Sequence, residues 1–344
     1  MPLASFIYAG IARRRRGWYA ARADRRVRLD RPVVSVGNVA VGGSGKTPVA
    51  ALVARLLLES GHRPSILSRG YARRRPSDGV TVVSDGRRVL ADLDHAGDEP
   101  LMLARALPGV PVLVSADRYL AGRLAERRLG CTVHVLDDGF QHVRLERDVD
   151  LVLLSPEDVA RPVTLPSGRL REPLDVVRLA SALVVGGADA SLAADIGARV
   201  GVGEVFVLSR ALGRPRWIGA GPGDAPPGRE ARALAVAGVA RPERFFAALE
   251  ADGWTVAGRL AFDDHHQFRR SDVDAVAAAM RASQADLVLT TEKDAVRLEP
   301  LGPLPVPVAA VPLEASVEPA GAFASWLRAR VGEPEARSLK PEAR

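Results

Sequence analysis

The chain has one cysteine, three lysines and few aromatic residues, and each shortage excludes something. Cys131 alone can build neither an internal disulfide nor a cysteine-based metal cluster. Its setting, the apolar run from Cys131 to Leu136, reads as that of a buried structural thiol. Long hydrophobic runs are also missing. The stretch from Pro2 to Ala12 falls short of the ~20 apolar residues that a bilayer-spanning helix needs. A secretory signal is excluded too, because its charges precede the apolar run, and here Arg13 to Arg16 follow it.

Lysine occurs only at 46, 293 and 340, and arginine supplies the remaining positive charge. A compact ammonium is what phosphate oxygens call for, which singles out Lys46. It stands in Val33-Val34-Ser35-Val36-Gly37-Asn38-Val39-Ala40-Val41-Gly42-Gly43-Ser44-Gly45-Lys46-Thr47-Pro48, an apolar β-branched run, a glycine-rich turn and a helical pattern through Leu57. Glycines let backbone N–H groups converge on phosphate oxygens, and a helix N-terminus adds the positive end of its dipole. Gly42, Gly43, Ser44, Gly45, Lys46 and Thr47 are therefore the nucleotide-binding candidates, with Lys46 on the β/γ-phosphates and Thr47 on Mg²⁺. Ala40 stands where the usual spacing has its first glycine, and Pro48 suits a first helical turn.

What is present otherwise is an ordinary folding composition, 47% hydrophobic and 26% charged over 344 residues, a length that predicts two lobes. The +7 net charge is not spread evenly. Residues 1–31 carry nine arginines against Asp24 and Asp30, so the whole excess lies there and the remainder is balanced. Apolar residues, then arginines, then Trp18 and Tyr19 predict an amphipathic segment in a membrane interface, with arginines on anionic lipid. A polybasic arm for nucleic acid and a solvated helix are the alternatives; the apolar residues before the arginines favour the membrane.

Past the phosphate-loop helix, Ser65 to Ser68 reads as a strand ending in Arg69-Gly70-Tyr71. Val80 to Leu90 reads as a hairpin about Asp85-Gly86. Asp98, before the helical pattern 101–107, reads first as an N-cap. Val110 to Val114 is a strand, and Asp117-Arg118 opens a helix. Val133 to Leu136 closes on Asp137-Asp138, as a Walker B strand does, with carboxylates for Mg²⁺ or its waters. Further strands at 150–154 and 182–186 flank a Pro-punctuated loop, 165–173.

The alternation implies a mainly parallel, doubly wound α/β sheet of the P-loop nucleotide-binding type, with a second, smaller α/β lobe. The expected divisions are a leader at 1–31, a core at 32–212, an inter-lobe linker at 213–228, the smaller lobe at 229–331 and a disordered tail at 332–344. Asp263-Asp264-His265-His266 is a polar loop in that smaller lobe.

In sum the motifs resemble the tetraacyldisaccharide 4′-kinase family of the lipid A pathway. The likeness is carried by Ser35 to Asn38 with Val41 to Pro48, Ser68-Arg69-Gly70-Tyr71, Gly97-Asp98-Glu99-Pro100, Asp137-Asp138-Gly139-Phe140-Gln141-His142 and Leu170-Arg171-Glu172-Pro173. It continues through Pro242 to Phe246, Asp264-His265-His266 and Thr291-Glu292-Lys293-Asp294-Ala295-Val296. The resemblance implies phosphoryl transfer from ATP, with Mg²⁺, to the 4′-hydroxyl of a tetraacyl glucosamine disaccharide 1-phosphate. It also implies a monotopic enzyme on the cytoplasmic face of an inner membrane, needing no nucleic acid and no obligate protein partner. It makes Asp98 the general base, paired with His265, where the residues alone had suggested a cap. Glu99, Asp137 and Asp138 join Thr47 as magnesium candidates; Arg69, Tyr71, Arg118, Gln141, His142 and Arg171 are candidates for substrate. A nucleotide-dependent membrane-surface switch that transfers nothing to lipid is the alternative from another class.

Overall fold

The computed structural model describes residues 3–42, 45–71, 73–219 and 227–334. Gly43 and Ser44 of the glycine-rich turn, and most of the expected tail, lie outside the described residues. Two compact units form, Met1–Ser209 with Ala315–Arg344, and Arg210–Glu314. The strands in chain order are β1 (Val33–Asn38), β2 (Pro64–Ser68), β3 (Thr81–Asp85), β4 (Pro111–Val114), β5 (Val133–Asp137), β6 (Val149–Leu154), β7 (Ala182–Gly186) and β8 (Val205–Leu212). Then come β9 (Arg216–Trp217), β10 (Arg232–Ala237), β11 (Thr255–Ala261), β12 (Leu287–Thr291), β13 (Val308–Val311) and β14 (Leu313–Glu318).

The first sheet has the order β14-β8-β7-β6-β1-β5-β2-β4-β3. From β8 to β4 every neighbouring pair is parallel, and β3 closes one side antiparallel to β4. β1 lies inside this sheet with all six residues buried, which is why it is apolar on both faces rather than alternating. The helix Lys46–Glu59 follows, burying Val49, Ala50, Val53, Ala54 and Leu57 at helical spacing. Because β1, β2, β4 and β5 run the same way, the loops after them share one edge, the edge where open α/β sheets bind ligands.

The second sheet is β11-β10-β12-β13-β9, parallel except for β9. Its core joins Ala233, Ala235, Leu287 and Leu289 to Phe246, Leu249 and Trp254. The loop after β11, Gly238 after β10 and the helix Glu292–Leu298 after β12 again share a carboxyl edge.

Several boundaries differ from expectation. The passage 213–228 is not all linker, since β9 within it pairs with β13. The helix Ala320–Val331 belongs to the first unit, where Phe323 meets Phe206 at 5.1 Å, rather than closing the smaller lobe. The second arm of the expected hairpin shrinks to the single bridge Ser84–Val89, because β3 takes β4 as its partner. The phosphate-loop helix starts at Lys46, not Pro48, with Gly45 as its cap. Asp98 is not a cap either; Gly97 is, and Asp98 opens the helix Asp98–Ala106. Cys131 is buried as expected, and burial pushes its thiol up to about 12.

The leader forms the helix Leu3–Ala20. Ser5, Ala9 and Arg16 are its buried residues, while Leu3, Phe6, Ile7, Ile11 and Trp18 are exposed. At 3.6 residues per turn these sets fall on opposite sides, so the helix turns its apolar stripe outward. Not every leader arginine faces outward, contrary to expectation. Arg16, only 9% exposed, grips Glu172 with two donors at 3.0 and 2.7 Å. It also donates to Phe140 O and lies over that ring. Ser5 O accepts from Thr164 Oγ1, so the helix is pinned to the 164–175 segment at both ends.

Candidate active site

The chemistry-bearing side chains of the first unit gather where β1 and β5 end. β1 stops at Asn38, and the loop after it must turn back into a helix within eight residues. Gly42 and Gly45 take φ of 102° and 85° to do so, a region costly for residues with a Cβ. Close approach makes the same demand nearby. A Cβ on Gly37 would lie 2.6 Å from Phe140 Cβ, so β1 and the turn after β5 touch only because residue 37 is glycine.

Lys46 and Thr47, in the first turn of their helix, face the carboxylates that end β5. Thr47 Oγ1 donates to Asp137 Oδ2 at 3.4 Å. Lys46 Nζ lies 3.6 Å from Asp138 Oδ1, an ion pair longer than a hydrogen bond. Arg171 Nη1 donates to Asp138 Oδ2 at 2.7 Å. Gln141 Nε2 donates to Asn38 O at 2.8 Å and to Glu172 Oε2 at 3.3 Å, tying the strap 170–173 to the root of the phosphate loop.

The two neighbouring aspartates are held in opposite ways. Burial pushes Asp137 up to about 7, and the charges of Glu99 and Asp138 add to it against Lys46 and Thr47. Burial also acts upward on Asp138, but Lys46 and Arg171 outweigh it and hold this carboxyl below its ordinary value. Asp138 keeps this place with φ of 55°, left-handed for a residue that is not glycine. Neither Asp137 Oδ1 nor Asp138 Oδ1, both shielded from solvent, has a hydrogen-bond partner among the described residues.

That last fact tests the fit of a divalent cation. Hard oxygen donors, one hydroxyl beside a carboxylate with an unengaged oxygen, suit Mg²⁺. No three His, Cys, Asp or Glu side chains among the described residues make a protein-only cage. Mg²⁺ at nucleotide sites is held in that sparse way, by one or two protein groups plus phosphate and water.

Beside this cluster, Arg118 is buried at the start of the helix Arg118–Leu129. Burial first, and then the like charge of exposed Arg69, lower it to about 10. Two guanidinium charges near enough to repel each other suit an anion, which would relieve the repulsion. His142 is pushed down to about 4 by burial and by Arg118, so its ring is neutral at pH 7, and its Nε2 is buried without a partner among the described residues. Tyr71 is exposed, and Asp98 and Glu99 are half-buried on the first turn of their helix. His265 lies in the second unit, in the loop after β11.

Sequence reasoning missed Arg16, read only as a lipid-facing charge, and Glu172, quoted only as part of a motif. The signal for Arg16 was there: it shares a helical face with Ser5 and Ala9, away from the apolar stripe. It also missed Arg297, directly after the Thr291–Val296 motif, which reaches His265.

Comparison with known proteins gives the family. A family described as Tetraacyldisaccharide-1-P 4′-kinase matches residues 1–332. The Tetraacyldisaccharide 4′-kinase of Geobacter metallireducens is 41% identical over 307 residues, covering 88% of each chain. That of Anaeromyxobacter dehalogenans is 44% identical over 286 residues, covering 79% of this chain and 74% of its own. The crystal structure of "apo" form LpxK from Aquifex aeolicus in complex with ATP superposes with a TM-score of 0.76 at 31% identity, covering 95% of this chain and 96% of that one. With the family model matching residues 1–332 and curated relatives 41% and 44% identical over most of its length, the chain belongs to the tetraacyldisaccharide-1-P 4′-kinase family.

Proposed function

We infer that the chain transfers the γ-phosphoryl group of ATP to the 4′-hydroxyl of a tetraacyl glucosamine disaccharide 1-phosphate, the lipid A precursor, at the cytoplasmic surface of an inner membrane. Family membership supports the reaction. The observation that carries the site is the convergence of Lys46, Thr47, Asp137, Asp138 and Arg171 at one sheet edge.

The backbone N–H groups from Gly42 to Gly45 cradle the phosphates, and Lys46 sets a compact charge against the β- and γ-oxygens. Thr47 and Asp137, with Glu99 and Asp138 beside them, would hold Mg²⁺, which would supply positive charge against the phosphate oxygens. Arg171 holds Asp138 toward Lys46, so that lysine is aimed before the nucleotide arrives. Arg69 and Arg118 take an anionic oxygen of nucleotide or lipid; Tyr71, Gln141 and His142 belong to the acceptor side. Asp98 takes the proton of the attacking hydroxyl, with His265 as the second member of the proton-transfer pair. The outward stripe Leu3, Phe6, Ile7, Ile11 and Trp18 supports insertion into a bilayer surface, flanked by arginines suited to anionic lipid. Among the described residues no helix is long and apolar enough to cross a membrane.

The test is transfer of labelled γ-phosphate to the disaccharide lipid in detergent micelles, with Asp98→Ala as the control. No transfer by the unaltered chain, or full transfer by the variant, overturns the reading. Hydrolysis stimulated by vesicles without labelled lipid would point to the switch instead. Membrane docking is tested by Phe6→Gln with Ile11→Gln, which is expected to lower sedimentation with anionic vesicles while ATP binding persists.

A further inference from the structure

His265 and its neighbour His266 are not equivalent. His266 Nε2 lies 3.0 Å from Asp272 Oδ2, and its ring stacks on Phe262 at 4.7 Å and meets Phe268 edge-on at 5.0 Å. It is a structural pin of the loop. His265 stands at φ of 60°, a left-handed conformation that persists only where the surroundings over-determine it.

Those surroundings come from the otherwise unexplained Thr291–Val296 motif and the residue after it. Arg297 Nη2 donates to His265 Nδ1 at 3.3 Å, while its Nη1 donates to Gly238 O at 3.1 Å and to Asp294 Oδ1 at 3.2 Å. Asp294 is fully buried, and its Oδ2 accepts from Thr291 Oγ1 at 2.7 Å and from Gly238 N at 3.0 Å. The guanidinium is thus oriented by a saturated carboxylate before it meets the imidazole. Asp264 Oδ1, 4.0 Å from His265 Nε2, is a further charged group facing the ring.

A guanidinium has donors and no acceptor. His265 Nδ1, receiving from Arg297, must present its lone pair, so the neutral ring carries its proton on Nε2. We propose that Arg297, held by Asp294, is a positioning residue that fixes His265 as the Nε2–H tautomer, the form able to donate to an ionised carboxylate. Resting on the reading of His265 as partner of the general base, this gives the motif its role: it makes the loop after β11 present a donor, not an acceptor. Asp294 sets the arginine, and the arginine sets the proton.

The experiment uses the full chain with ¹⁵N-labelled histidine and reads the His265 ring by long-range ¹H–¹⁵N correlation, beside steady-state kinetics with ATP and the disaccharide lipid. Removing one partner of a buried pair is strongly destabilising, so two variants keep the site balanced. Arg297→Lys keeps the charge on Asp294 but cannot span both partners with a planar fork. Asp294→Asn with Arg297→Gln removes both charges together. The unaltered chain is expected to show the Nε2–H tautomer alone. Both variants are expected to mix tautomers, with kcat lowered roughly ten-fold or more and KM for ATP within about two-fold. An Nδ1–H ring in the unaltered chain overturns the proposal. So does a kcat loss in the variants with the His265 tautomer unchanged. If tautomers shift as stated but His265→Ala keeps full kcat, Arg297 still positions the ring, and it is the place of His265 in the chemistry that falls.

Discussion

Each unit carries a buried aspartate at the carboxyl edge of its sheet, and the two are engaged very differently. Asp137 and Asp294 are both nearly or fully shielded, and in both burial pushes the carboxyl above its ordinary value. Asp294 has every oxygen engaged, by Thr291, Gly238 and Arg297. Asp137 has only the long bond from Thr47, and its other oxygen meets no donor among the described residues. Burial with full satisfaction describes a strut. Burial with an unengaged oxygen suits a group that meets an incoming partner, because an unmet buried acceptor is destabilising.

The contrast can be broken by mutation, from the largest effect to the smallest. Arg297→Met strands the Asp294 charge and is expected to lower unfolding stability by about 3–5 kcal/mol, read by denaturant melts; a loss below about 1 kcal/mol would show that the strut is not one. Lys46→Ala removes a charge that matters chiefly with nucleotide bound, so kcat for lipid phosphorylation is expected to fall by roughly 10²–10³. Its unfolding midpoint should stay near that of the unaltered chain, and a large fall would make Lys46 structural. Asp137→Asn is expected to abolish detectable transfer and yet, above pH 7 and without metal, to raise stability by about 1–2 kcal/mol, since it removes a buried charge that Thr47 and Lys46 offset only in part. A destabilised Asn variant would mean that Asp137 is a strut like Asp294.

The smallest effect is the pH dependence. A carboxyl raised by folding lends stability while protonated and loses it as pH rises through its folded value. The Asp137 contribution is thus present below its ordinary 3.8 and gone above about 7. Mg²⁺ needs the ionised form, so its apparent affinity in the presence of a non-hydrolysable ATP analogue is expected to weaken up to about tenfold from pH 7 to pH 6. A flat profile in titration calorimetry would remove Asp137 from the metal site.

The nucleotide half of the site was legible because its signals are local. Lys46 and Thr47 open a helix soon after an apolar strand, and Asp137 ends another with Asp138 directly after it; each cue spans only a few residues. Arg171 was legible through its motif, although only the fold places it 2.7 Å from Asp138. The second half was less so. His265 and His266 are adjacent and alike in sequence, and only the packing of Phe262, Phe268 and Asp272 around one of them separates their roles. Asp98 misread as a cap has a simple cause: Gly97, at φ of 84°, turns the chain one residue earlier.

By itself, then, the sequence determined the succession of strand, turn and helix, and with it the edge on which phosphate-binding groups must collect. Periodicity, glycine placement and helix starts are near-neighbour effects, readable wherever they occur. Only the tertiary structure decided that Arg16 points inward to Glu172, 156 residues away, that the helix Ala320–Val331 returns to the first unit, and that Arg297 reaches His265. Each of these depends on which surfaces bury one another, and desolvation turns an ordinary arginine into an anchor only once a distant carboxylate or imidazole is there to meet it.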